Sequence, residues 1–391
     1  MPEMFHARVD QRELLIAVNA AKLFVNRSRH LPILQNLHFA ADADCITVSA
    51  TDLDSEIAYY VAGEGAGSTT IPTQMLTSIL KNGSKGAITL TTDENHVTTV
   101  RGEGSAMQII LGMSPEDFPR LSPSYAYAEC TVNEPILSRL LTRTLPFMGD
   151  RVLRPILCGV RVLLARGVLR FITTDTYRLA VAETSVSMLG TVTRKRNFPG
   201  ATAGATIPAG VMTKLAKLLN KRDADATLTM EFSGEHVLIE NDRFCIIARL
   251  IDGLFPSYER VTPDGFQSET TLNRKQFLAA VKRVGAVTRN AEGLNRVILH
   301  LGDALTITAT ANAIERAEER LEGGHNGPYI SIAFNSNYLA DACKCFDSDM
   351  LTMQANAALS PVVFRPLAEE RSVSGYLIVV PMTLGTEIAV P

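Results

Sequence analysis

With 391 residues, 46% of them hydrophobic and 20% charged, the chain has enough apolar surface for several separate cores. Its net charge of −3 singles out no class of partner, and no apolar run reaches the ~18 residues of a membrane-crossing helix. Six cysteines (Cys45, Cys130, Cys158, Cys245, Cys343, Cys345) stand in apolar stretches without a CxxC pair, a pattern of buried thiols in a reducing compartment and not of a metal site.

The opening MPEMFHARVDQREL lacks the apolar centre of a signal peptide, so the expected location is the cytoplasm. From Asp10 to Val25 an aspartate cap precedes Leu14, Leu15, Val18, Ala21 and Val25 at helical spacing, with a basic flank of Arg12, Lys22, Arg27 and Arg29. Residues 32–57 read as paired strands closed by a Thr-Asp step. Ser68-Thr-Thr-Ile-Pro72 leads into a second helix, TQMLTSILKNG, which carries Lys81, and SAMQIILGMSPEDFPRL ends at residue 121.

The same order then begins again. Residues 133–148 predict a helix with Leu137, Leu140 and Leu141 inward and Arg139 and Arg143 outward, followed by Arg151. Two strands joined at Ala165-Arg166-Gly167 lead to Thr174-Asp175-Thr176-Tyr177-Arg178-Leu179, where Asp175 is expected to order its loop by accepting backbone hydrogen bonds. Pro32 to Pro155 and Asp52 to Asp175 are both 123 residues apart. The helix AGVMTKLAKLLNK carries Lys214, Lys217 and Lys221, and DRFCIIARLIDGLFPSYERV closes this copy at 261. A third, degenerate copy buries Phe277, Leu278, Val281 and Val284 on a helix over 273–288, leaving Arg274, Lys275, Lys282 and Arg283 toward water. Its last helix lies in NSNYLADACKCF, and SGYLIVVPMTL ends at 384.

Self-similarity at a domain-sized period predicts an α+β fold of three repeated domains, at 1–126, 127–263 and 264–391, each with two helices packed on antiparallel sheets. The six helical windows together carry +15, so the remainder of the chain carries −18. A basic helical surface on an otherwise acidic protein suits a phosphate backbone held without regard to sequence.

Catalytic signatures are missing from the sequence. It contains no GxxxxGK[ST] phosphate loop, no GxGxxG and no HExxH, and its seven histidines are scattered. The carboxylate pairs Asp52/Asp54 and Asp347/Asp349 read as turn residues. No enzyme, cofactor or metal is expected.

Five short motifs, in order, carry a resemblance. They are Leu31-Pro-Ile-Leu34 with Ala50-Thr-Asp-Leu53, Thr174-Asp-Thr-Tyr-Arg-Leu-Ala180, Leu250-Ile-Asp-Gly-Leu-Phe-Pro-Ser-Tyr258, Phe334-Asn335 with Tyr338, and Val380-Pro-Met-Thr-Leu384. Over essentially residues 1–384 the chain resembles the bacterial DNA polymerase III β subunit family, the replicative sliding clamps. That resemblance implies three DNA-clamp domains closing head to tail into a dimeric ring whose helices face encircled duplex DNA. It also implies a groove that takes short peptides from DNA polymerase, the clamp loader and repair proteins. Position by position the groove would comprise Leu157, Thr174, Thr176, Tyr177, Arg178, Leu179, Pro256, Arg260, Val261, Leu294, Asn335, Tyr338, Leu359, Ile378, Val379, Val380, Pro381, Met382 and Leu384.

Closure would join Arg101, Met107 and Ile109 of one copy to Glu315, Glu318 and Glu319 of the other, strand edge to strand edge. Departures from the family pattern are Val380 in place of a Met, Thr383 in place of an Arg, Leu294 in place of an aromatic, and a tail over 385–391 able to lie across the groove. They keep open an alternative, a specialised second clamp with an altered groove, for inhibitor escape or a dedicated polymerase.

Overall fold

A computed structural model describes residues 4–26, 30–83, 85–102, 107–123, 125–149, 154–165, 167–185, 202–288, 295–312, 314–368 and 372–383. Six α-helices occur among them: α1 (Gln11–Ala21), α2 (Thr73–Asn82), α3 (Glu134–Thr144), α4 (Ala209–Leu218), α5 (Arg274–Gly285) and α6 (Ser336–Lys344). Their starts are written in the sequence. Asp10 accepts from the backbone N–H groups of Arg12 and Glu13, and Asn273 accepts from those of Lys275 and Gln276. The expected helix over 133–148 ends at Thr144, where Pro146 cannot donate to the ladder and the chain tightens into a 3-10 turn, Leu145–Phe147.

Contacts gather the chain into two compact units, one built on Met1–Glu134 and Thr213–Leu250, the other on Pro135–Ser187, Ala201–Met212 and Ile251–Pro391. The first holds an 11-stranded antiparallel sheet. Its path runs Gln108–Leu111, Val97–Gly102, Ala87–Thr92, Phe5–Asp10, Ser55–Pro72, Phe244–Arg249, His236–Glu240, Thr227–Phe232 and Ala128–Asn133. Asn36–Ala41 and Cys45–Thr51 pair with each other and with the long Ser55–Pro72 strand. Pairing of Phe244–Arg249 with residues 55–59 joins the first sequence copy to the second within one sheet.

In the other unit a nine-stranded sheet runs Thr202–Pro208, Gly159–Ala165, Val168–Thr174, Arg178–Ser185, Ser374–Val379, Val362–Pro366, Met350–Ala355, Ser268–Asn273 and Gly324–Asn326. A separate four-stranded sheet runs Arg316–Leu321, Leu305–Thr310, Arg296–Leu301 and Ile330–Asn335. Alternation along these strands sends Val297, Leu299, Leu301, Ile307, Ile332 and Phe334 inward, into one core with Phe277, Val281 and Val284 of α5 and Leu339 of α6. Among the described residues no helix is long and apolar enough to cross a membrane.

Candidate nucleic-acid interface and partner cleft

The basic residues of the helices divide into two kinds. Arg12, Lys81, Lys217, Lys221 and Lys282 are exposed, and Lys22 is half-buried. Others are engaged inside the chain. Lys275 is exposed but reaches Asp349 at 2.9 Å, holding that carboxyl below its ordinary value by donating to it. Arg283 grips Glu319 with two nitrogens, its Nε 3.0 Å from Oε2, and likewise holds the Glu319 carboxyl low. Arg139 is half-buried, 3.9 Å from Asp347.

Three of the residues expected to face a phosphate backbone are corrected by the structure. Arg143 is buried at 2% exposure, with its guanidinium 5.4 Å from the Phe346 ring centroid. Arg274 donates to the carbonyls of Ser348 and Cys343 at 2.7 and 3.4 Å and ties the start of α5 to the end of α6. Lys214 reaches Asp52 at 2.8 Å. A helical wheel places each of these away from its own helix's core, but a second covering element, invisible to the wheel, receives it. Arg27, Arg29 and Arg151 lie outside the described residues.

A cleft of about 910 Å³ opens beside the second Thr-Asp loop, lined by Leu145, Pro146, Met148, Gly149, Arg154, Leu157, Asp175, Thr176, Tyr177, Arg178 and Tyr338. Its loop is built as the sequence implied. The Asp175 Oδ1 accepts from the backbone N–H of Tyr177 (3.0 Å) and of Arg178 (2.7 Å), and Thr174 Oγ1 donates to the Arg178 carbonyl at 2.7 Å. Arg178 leans across the cleft floor: its Nε donates to Asp175 Oδ2 at 2.9 Å and its Nη1 to Asp341 Oδ2 at 2.9 Å. The guanidinium lies 4.3 Å from the Tyr338 ring centroid and 5.1 Å from that of Phe147. Tyr177, 60% exposed, stands with its ring 6.5 Å from that of Tyr338.

Of the expected groove residues, Leu157, Thr176, Tyr177, Arg178 and Tyr338 come together in this cleft. Val380 donates its N–H to the Tyr177 carbonyl at 2.9 Å and Met382 donates to Ala333 at 2.7 Å, which anchors the segment around Pro381. Thr174 is half-buried in the loop, and Asn335 caps α6 by accepting from Asn337. Pro256 and Arg260 are exposed, as are Val261 and Leu359 at 49% and 64%. Val379 and Ile378 are corrections. At 0% and 1% exposure they are core, because Ser374–Val379 is an interior strand covered on both faces. Leu179, next to Arg178, points to the opposite sheet face and packs with Ile172, Tyr258 and Ile378. Leu294 and Leu384, with the tail over 385–391, lie outside the described residues.

Sequence reasoning missed the wall formed by Leu145, Pro146, Met148 and Gly149, together with Arg154 at the rim. Proline and glycine in LPFMG were the available signal, since they break the helix and turn the segment toward the loop.

Among the strands that end a sheet with one neighbour, two carry the residues expected at ring closure. Gln108–Leu111 pairs only with Val97–Gly102, and Arg316–Leu321 only with Leu305–Thr310, among the described residues. Met107, Ile109 and Leu111 are 52%, 60% and 68% exposed, and Arg101 donates to the Met107 sulfur at 3.5 Å. Glu315 and Glu318 are exposed. Glu319 is a further correction: strand alternation turns it to the inner face, where it meets Arg283, so consecutive acids serve different sides.

Comparison with known proteins agrees with this architecture. Family models match in order along the chain: the DNA polymerase III beta subunit N-terminal domain over residues 5–122, the central domain over 131–257 and the C-terminal domain over 259–381. The "Beta sliding clamp" of Halalkalibacterium halodurans is 24% identical over 381 residues, covering 94% of this chain and 97% of that protein. That of Pseudomonas putida is 25% identical over 384 residues, covering 97% and 100%. Among solved structures, the DNA polymerase sliding clamp of Bacillus subtilis superposes with a TM-score of 0.88 at 20% identity, over 97% of this chain and all of that one. The Pseudomonas aeruginosa sliding clamp bound to griselimycin gives 0.88 at 24% identity, with the same coverage. The chain therefore belongs to the DNA polymerase III beta subunit family, the beta sliding clamps, which are non-catalytic processivity factors and not enzymes.

Proposed function

We propose that two copies of the chain close head to tail into a ring around duplex DNA and tether DNA polymerase and other replication and repair proteins there, in the cytoplasm. Supporting the ring are two sheet edges whose backbone groups on one side have no strand partner among the described residues. One presents Met107, Ile109 and Leu111; the other presents Glu315 and Glu318 flanked by Arg316 and Arg320. Adding strand to strand satisfies both rows of backbone groups at once, and an asymmetric pair of edges that closes after two copies leaves neither of these two edges free. This pair of edges is the observation that carries the reading. The division at 1–126, 127–263 and 264–391 is favoured by three family models matching consecutively at similar positions.

Exposed Arg12, Lys81, Lys217, Lys221 and Lys282 form the phosphate-facing set of the reading. Such side chains position a backbone without reading bases, as sliding requires. The tyrosine-lined cleft takes short peptides, its apolar wall holding one or two anchor side chains. No feature of the comparisons favours a specialised second clamp.

The test uses Ile109→Asp, which sets a charge into the exposed apolar edge. Light scattering should show a dimer for the parent and a monomer for the variant, and an unchanged mass would reject this edge. A closed ring retained on nicked circular DNA should be lost when that DNA is linearised. Lys217→Ala with Lys221→Ala and Lys282→Ala should lower retention equally on any sequence. The salt dependence should flatten by about 0.9 in log–log slope for each lysine–phosphate pair removed.

A further inference from the structure

The Thr-Asp loop occurs twice, and both times its aspartate seats a cation against a phenylalanine. In the first copy the cation is Lys214 of α4. Its Nζ lies 2.8 Å from Asp52 Oδ2, 3.3 Å from Ser55 Oγ and 4.5 Å from the Phe24 ring centroid. In the second copy it is Arg178, seated on Asp175 and 5.1 Å from the Phe147 centroid. Phe24 and Phe147 are 123 residues apart, the spacing of the two aspartates. Counted from the helix starts Ala209 and Ser336, Lys214 and Asp341 are both the sixth residue. The helix thus supplies the cation at one seat and an anion at the other, and the loop supplies the reverse.

Inversion has a geometric consequence only in the second copy. A lysine on a carboxylate is a point contact with free rotation, whereas a guanidinium is planar and held in a fork. Arg178 is gripped on one side by its own loop through Asp175 and on the other by α6 through Asp341, with only 11% of its side chain exposed. Between those grips its plane is set against Tyr338, three residues before Asp341 on the same helix. Arg178 and Tyr338 line the cleft; Asp341 does not. Asp341 is further steadied by Lys344 at 3.0 Å.

We infer that Asp341 is a positioning residue for the cleft: by drawing Arg178 across to α6 it fixes the Arg178–Tyr338 contact, so that the peptide-binding mouth is preformed. The inference rests on reading the cleft as the peptide site. A mouth already ordered spares the ligand the cost of immobilising two long side chains, so loss of Asp341 lowers affinity without removing any atom that the ligand touches.

The test pairs binding with stability, using anisotropy of a fluorescein-labelled peptide that carries a clamp-binding motif alongside thermal melts of the full chain. Asp341→Asn keeps the shape and removes the charge, and should weaken the peptide about tenfold while the protein stays folded. Arg178→Ser with Asp341→Lys transplants the first copy's arrangement. It should recover the melting temperature lost in Asp341→Lys alone, yet bind the peptide no better than Asp341→Asn. A merely structural pair would recover both together, which would overturn the proposal, as would Asp341→Asn binding within twofold of the parent. Failure of the parent to bind, or a silent Tyr338→Ala, would instead overturn the cleft reading itself and the role of Asp341 with it.

Discussion

At residues 51–55 and 174–178 the chain builds one loop twice and finishes it differently. In each, a threonine hydroxyl donates to the carbonyl four residues on (Thr51 to Ser55 at 3.0 Å, Thr174 to Arg178 at 2.7 Å), and an aspartate accepts from the backbone three residues on at 2.7 Å. In each, the residue after the aspartate takes the left-handed conformation, Leu53 at φ 77° and Thr176 at φ 79°. The frames match; the cations do not. Lys214 has one carboxylate, one hydroxyl and one aromatic ring, while Arg178 has two carboxylates and two aromatic rings. A repeated backbone can therefore hold a simple tether in one place and a rigid wall of a cleft in another, with the difference resting on which of two facing positions carries the positive charge.

That contrast predicts an order of effects. Arg178→Ala leaves Asp175 and Asp341 facing each other at 15% and 32% side-chain exposure, and should cost about 3–5 kcal/mol in urea denaturation. A loss below about 1 kcal/mol would remove the special standing of the second seat.

The sheets beneath the loops differ too, since His38 stands 123 residues before Arg161. His38 is buried, its Nδ1 3.4 Å from Arg120 Nη1, and burial first, then that guanidinium, push its pKa down from 6.5 to about 4. The unfolded chain therefore binds this proton first. Stability is fully present above about pH 6.5 and falls by about 2–3 kcal/mol as the pH drops toward 4. Glu56, whose carboxyl burial pushes up, works in the opposite direction. Denaturation of His38→Phe across this window should isolate the histidine contribution as a flatter profile, and an unchanged slope would refute it.

Lys214→Ala should cost less than either, about 1–2 kcal/mol, because its single carboxylate partner remains partly solvated at 27% exposure. Equality with Arg178→Ala would erase the distinction between the seats. The smallest effect has the opposite sign. Leu53→Gly and Thr176→Gly relieve left-handed strain, offset by glycine's greater freedom in the unfolded chain, for a net gain of up to about 1 kcal/mol each. Destabilisation by either would show that the side chain, and not the backbone frame, holds the loop.

Much of this was legible because it is local. Asp10 and Asn273 cap the helices they precede, the three-copy order is visible in short motifs, and the role of Asp175 follows from its place before a turn. What escaped depends on partners far along the chain. Arg143 meets Phe346, Arg274 meets Ser348, Arg283 meets Glu319 and Lys214 meets Asp52, and no helical period records such encounters. Likewise, alternation can say that Val379 and Leu179 face opposite ways, but only the neighbouring strands decide that both are buried. The cleft wall at Leu145–Gly149 hid at the end of an amphipathic pattern whose last turn is not helical.

Pairing between residues 55–59 and the strand Phe244–Arg249 bears on how the protein can be taken apart. The motif period invites a cut near residue 126, yet such a cut would strip a central strand of one of its neighbours and expose a fresh hydrogen-bonding edge on each fragment. The piece that reads as a free-standing module would then tend to aggregate or to recruit a stranger's strand. On that expectation, the repeat read from the sequence and the stretch able to stand alone would be different lengths of chain.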